Sequence, residues 1–147
     1  MRPPMTWNKV KHHFSGHPED LIEVIYRDMN PHAWKRLFDW IKDRIIHLNT
    51  QHGYIEPGKL SFDAYISGEY SYIATIRTGN ETELSLSIID ENSLEIDIEL
   101  EEIQSAQAFD TLLSNVKEIA GVIACENYII CPEFKPEQAF IINGNYL

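Results

Sequence analysis

Hydrophobic and polar residues alternate most regularly over residues 82–101. Leu84, Leu86 and Ile88 are interleaved with Ser85 and Ser87. After Asp90-Glu91-Asn92-Ser93 the alternation resumes, with Leu94, Ile96, Ile98 and Leu100 set against Glu95, Asp97, Glu99 and Glu101. A period of two predicts two strands, each with one apolar and one polar face, and the polar break predicts a hairpin between them. One face of that hairpin builds a core. The other carries a row of four carboxylates.

The same grammar extends upstream. Leu60, Phe62, Ala64 and Ile66 alternate with Ser61, Asp63 and Tyr65. Tyr70, Tyr72, Ala74 and Ile76 follow the turn signal Ser67-Gly68-Glu69, interleaved with Ile73, Thr75 and Arg77. Four strands joined by short connections predict an antiparallel meander, because parallel pairing needs long crossovers. Such a sheet can leave one face wet. With matched registers that face carries Asp63, Arg77, Glu83, Glu95, Asp97, Glu99 and Glu101.

Elsewhere the spacing is helical. Pro18 at a first helical position, two following acids and the apolar set Leu21, Ile22, Val24, Ile25 and Met29 predict a helix over 17–29. Asn30 as N-cap and Pro31 behind it open a second, over 31–49, with Trp34, Leu37, Phe38, Ile41, Ile45 and Leu48 on one stripe. Trp40 lies off that stripe and is either covered by a second element or a contact residue. Residues 1–16 read as an irregular arm anchored by Trp7 and Phe14. Ser105 opens a further helix whose buried stripe runs from Phe109 to Ile123. Tyr128–Cys131 reads as a short buried strand ended by Pro132, and the tail as either a short helix from Pro136 ending at Gly144 or a strand over Ala139–Ile142. The expected architecture is a single α+β domain over 1–147. It has two N-terminal helices, a four-stranded antiparallel meander, one further helix packed on the sheet, and a short C-terminal strand or tail.

Charge narrows the choice of partners. The net charge is −11 and uneven. Residues 1–52 hold 8 basic and 6 acidic residues, net +2; residues 53–147 hold 4 and 17, net −13. Phosphate binding needs a basic footprint, so nucleic acid and anionic membrane surfaces are poor partners. A cationic protein is the complementary one. No apolar run approaches the roughly 18 residues of a membrane span, and no apolar segment follows the basic start, so a soluble chain without a signal peptide is expected. The two cysteines, Cys125 and Cys131, are expected to be reduced, partly buried thiols, which suits a cytoplasmic location.

The sequence offers little catalytic chemistry. All six histidines, His12, His13, His17, His32, His47 and His52, fall within residues 12–52; His12 and His13 are adjacent and His47 and His52 are five apart across a helix end, unlike the spaced pairs on one rigid element typical of zinc sites. No metal site and no cofactor is expected. The acids of 95–101 alternate outward, as solvated ionised groups do, rather than lying in an apolar pocket that would tune them for acid/base work. No nucleophile elbow and no phosphate-cradling glycine motif occurs.

What remains is an acidic sheet face with aromatic residues near it. Charge steers an encounter and aromatics hold it. The expected role is a small acidic protein that works by stoichiometric binding to a basic protein, in its most concrete form an immunity-type inhibitor of a cationic toxin or nuclease. Glu95, Asp97, Glu99, Glu101, Glu83, Asp63, Tyr65 and Trp40 are its candidate contact residues. The competing expectation is a small-ligand or enzymatic domain whose pocket lies between the N-terminal helices and the sheet, lined by the histidines, Trp34 and Trp40. A homodimer through helix 31–49 or an edge strand is a third.

Overall fold

The computed structural model describes residues 7–17 and 19–146. It is an α+β structure built on one antiparallel sheet. Nine described strands follow the order β3-β2-β4-β5-β6-β1-β7-β8-β9. They span Leu21–Tyr26 (β1), Ile45–Thr50 (β2), Gly53–Ile55 (β3), Tyr72–Arg77 (β4), Glu83–Ile88 (β5), Leu94–Glu99 (β6), Tyr128–Pro132 (β7), Ile141–Ile142 (β8) and Asn145–Tyr146 (β9). Four helices accompany them among the described residues, at Trp7–Val10 (α1), Pro31–Ile41 (α2), Phe62–Ile66 (α3) and Ala106–Ile123 (α4).

The hairpin read from residues 82–101 is present. Leu86 stands opposite Ile96, and Ser85 and Ser87 stand opposite Asp97 and Glu95. β4 pairs with β5 along its full length, from Tyr72–Ile88 to Arg77–Glu83. The rest of the expected meander and both N-terminal helices need correction.

Residues 21–26 form a strand, not a helix. β1 lies in the middle of the sheet, between β6 and β7, with Val24 opposite both Ile96 and Ile130. Ile22, Glu23 and Val24 are all buried, so both faces of the strand are covered there. A strand covered on both faces shows no alternation, and a short apolar run is then indistinguishable from helix by periodicity. Pro18, expected at the helix start, lies outside the described residues, as do residues 1–6 of the expected irregular arm. The described part of that arm is helical: α1 is followed by a 3-10 turn over Lys11–Phe14. Its two anchors hold, since Trp7 and Phe14 lie with ring centroids 5.8 Å from that of Phe109.

The second helix starts as expected. Asn30 Oδ1 accepts from the Ala33 amide at 2.9 Å, and Pro31 occupies the first turn. It stops at Ile41. Ile45 and Leu48, which extend its stripe on paper, belong to β2, paired with Ile76 and Ala74. Residues 60–66, expected as a strand, contain α3 instead. The Ser61 hydroxyl caps it by accepting from the Ala64 amide at 3.1 Å. Asp63 and Tyr65 are therefore helix residues and do not lie on the sheet.

The core cluster draws on strand residues of one parity only: Ile22, Val24 and Tyr26, then Tyr72, Ala74 and Ile76, Leu84, Leu86 and Ile88, Leu94, Ile96 and Ile98, Ile130 and Ile141. All four helices contribute to the same cluster, through Val10, the Ala33–Ile41 face, Tyr65 and the Phe109–Ile123 stripe. The helices therefore share one side of the sheet. Ser105 caps α4 as expected, accepting from the Ala108 amide at 3.1 Å. α4 is tied to the sheet where the Tyr26 hydroxyl donates to the Val116 carbonyl at 2.7 Å. Pro132 ends β7; of the two forms expected for the tail, the helix does not form beyond a 3-10 turn over Pro136–Gln138, and the strand is present in part, as β8.

Candidate functional site

The sheet face turned away from the helices is assembled by register. Glu95, Asp97 and Glu99 project from β6, flanked by Ser85 and Ser87 of β5 on one side and by Leu21, Glu23 and Ile25 of β1 on the other. Ile73, Thr75 and Arg77 continue it on β4, and His47 and Asn49 on β2. Tyr54 of β3 ends it, 54% exposed, with its ring 5.0 Å from that of His47.

Glu83, Glu95, Asp97 and Glu99 thus share one surface, as their alternation implied. Glu101 lies just beyond, exposed in a 3-10 turn over Leu100–Glu102. The remaining candidates sit in the helical layer. Asp63 is exposed on α3. Tyr65 is 3% exposed, packed between Trp34 and Phe38. Trp40 is half-buried, with the Arg44 guanidinium 4.3 Å from its ring centre.

The acids are not uniformly solvated. Glu23, 4% exposed, faces Asp97 across the β1–β6 ladder, and Glu133 reaches the same spot from the end of β7. One carboxylate oxygen from each lies within 4.8 Å of the others. Glu23 is held by the Phe134 amide, which donates to its Oε1 at 3.0 Å. Burial, with Glu23 and Glu133 beside it, pushes the Asp97 carboxyl up to about 6. Glu23 is raised too, by burial first, against the opposing pull of the Phe134 amide. Three oxygen donors this close are the set among the described residues suited to a hard cation. Glu23 and Glu133 were not identifiable from sequence, because the contact is made by pairing between distant strands. Arg77 is a basic residue on this face, 3.6 Å from Glu83 with both side chains over half exposed.

A groove of about 800 Å³ opens at one end of the sheet, between the β4–β5 turn and the start of α4, with Arg77, Glu81, Glu83, Glu102 and Gln107 among its walls. It is not the pocket expected between the N-terminal helices and the sheet. Trp34 is 1% exposed there, its Nε1 donating to the Glu91 carbonyl at 2.8 Å. The histidines do not converge on it: His13 stacks on Phe140, His47 lies beside Tyr54 and His52 beside Tyr70. Both cysteines are free and buried.

The fold has a counterpart among solved structures. Over 87% of this chain and 97% of the other, the protein resembles a chain of the crystal structure of the toxic C-terminal tip of CdiA from Pseudomonas aeruginosa in complex with immune protein. The TM-score is 0.58 at 13% sequence identity, so the likeness is one of fold. No protein-family model matches the chain, and no curated protein matches it in sequence.

Proposed function

We propose that this protein is an immunity-type binder that blocks a basic protein toxin by stoichiometric contact, using the open face of its sheet. The observation that carries the reading is the one-sided layering. All four helices contribute to the core on one side, and the other side is a broad surface, covered where Glu23, Ile129 and Cys131 are buried on β1 and β7, with acids concentrated at its middle. Half-burial of Asp97 against two further carboxylates is unfavourable in the free protein and is relieved by an incoming lysine or arginine. Tyr54 and Ile73, 54% and 43% exposed, add apolar contact area on the same face. The likeness to a chain from a complex of a toxin tip with immune protein supports the class of role. A cytoplasmic site of action fits two free, buried thiols.

The test uses purified protein immobilised and exposed to lysate at low and at high salt. A basic partner is retained at low salt and released as salt screens the attraction. Glu95→Lys with Glu99→Lys abolishes retention, whereas Glu118→Lys on the helical side leaves it intact. Equal loss from both sets, or a partner that is not basic, overturns the reading.

A further inference from the structure

The segment after β7 is held in an unfavourable shape. The Lys135 amide donates to the Pro132 carbonyl at 3.0 Å, closing a four-residue turn. Phe134 occupies its third position with φ +61°, and Glu133 before it has no positive φ. This is the type II pattern, whose third position suits glycine or asparagine. A bulky side chain in the left-handed region is an outlier, since Cβ crowds the backbone. The ring gains nothing in return, for Phe134 is 84% exposed. A single exposed apolar residue is ordinary on a protein surface. One held in a strained turn is not.

The turn is also pinned at two points. The Glu133 amide donates to the Leu21 carbonyl at 3.0 Å, and the Phe134 amide to the buried Glu23 carboxylate. A buried carboxylate on a central strand therefore orients the residue that bears the exposed ring. Observed strain of this kind points from geometry toward function.

We infer that this turn presents Phe134 as an anchor for an apolar pocket on a protein partner, a pocket rimmed by lysine or arginine. The ring supplies rigid contact area at low entropy cost. The rim chemistry follows from what surrounds the ring's attachment: Glu133 next to it in sequence, with Asp97 and Glu23 clustered about Glu133. Basic groups beside the pocket complement those acids as the ring seats. The inference rests on the protein-binding role proposed above and adds to it a particular residue and a particular partner chemistry.

Phe134→Gly separates anchoring from folding. It removes the left-handed strain and the exposed ring, and a rise in Tm of about 2–4 °C is expected after allowing for the extra freedom of glycine in the unfolded chain. A fall in Tm means that the ring supports the fold, and overturns the inference. Partner contact is read by placing a photo-crosslinking benzophenone amino acid at position 134, at position 87 on the open face, and at position 118 on α4. A basic protein captured from both 134 and 87, and bound roughly thirtyfold more weakly by Phe134→Gly once purified, is the expected result. Capture at 87 without 134, or unchanged affinity in Phe134→Gly, overturns the anchor and leaves the proposed function standing. Capture at 118 alone, or at none of the three, overturns both.

Discussion

Glu23 of β1 and Asp97 of β6 face each other across an antiparallel ladder, two carboxylates whose oxygens approach within 4.8 Å. Neither forms an ion pair among the described residues. Like charges opposite each other in a sheet are destabilising. The arrangement makes stability depend on protonation in a stated direction. Asp97 titrates at about 6 in the folded protein against an ordinary 3.8, so the fold binds its proton more tightly than the unfolded chain does. The resulting stabilisation is full below the ordinary value and is lost as pH rises through about 6. Melting temperature is expected to increase as pH is lowered from neutrality toward about 5. Asp97→Asn should raise the melting temperature at neutral pH and flatten that dependence. A melting curve insensitive to pH in the wild type, or a destabilised Asp97→Asn, would show that the carboxylates are compensated.

The other face of the same strand behaves oppositely. Ile96 is fully buried, paired with Val24 and Leu86 in the middle of the core. Ile96→Asp places a charge there without a partner and should cost roughly 4 kcal/mol or more, enough to unfold many domains of this size. Glu99→Lys, at the exposed end of the strand, should change stability by less than about 0.5 kcal/mol. Denaturant melts of the two variants check the assignment of faces, since a register slip of one residue would exchange their effects.

How much of this was legible depends on how each strand is solvated. β4, β5 and β6 announce themselves because one side of each faces the core and the other faces water, and α4 because its stripe runs from Phe109 to Ile123. β1 does not, because Glu23 is buried with the apolar residues on either side of it and the run reads as helix. β2 was hidden by Ile45 and Leu48, which continue the stripe of α2 after the backbone has turned at Lys42–Arg44. α3 is five residues long, short enough for Phe62, Ala64 and Ile66 to imitate a strand, and the Ser61 cap was the overlooked signal. The row Glu95, Asp97 and Glu99 was visible. Its crowding by Glu23 and Glu133 was not, because register between distant strands is a tertiary property. Phe134 lies between Pro132, which ends β7, and Pro136, and nothing local reveals its positive φ.

The thiols should be inert while the protein is folded. Cys131 is fully buried beside Glu23, and burial, with the negative charge of Glu23, pushes its thiol up to about 11. Cys125 is raised as well, chiefly by burial. Because the thiolate is the reactive form, a disulfide reagent should label neither at neutral pH until denaturant is added, whereupon both react. Rapid labelling of the native protein would mean that the β7 region opens readily.

Arg77 lies on the acidic face and is partly neutralised by Glu83 at 3.6 Å, in a pair exposed enough to contribute little to folding. Arg77→Ala should therefore shift stability by no more than about 1 kcal/mol. Its effect on association is larger in kind. Removing the cation makes the face more negative and leaves Glu83 free to attract a basic partner, so the association rate should rise and its dependence on ionic strength should steepen. The dissociation rate should change little, since rim charges act mainly on encounter. Stopped-flow measurements at several salt concentrations separate the two rates. A slower association in Arg77→Ala would mean that the partner presents an acid at this point, and would overturn the basic character proposed for the partner rather than the place where it docks.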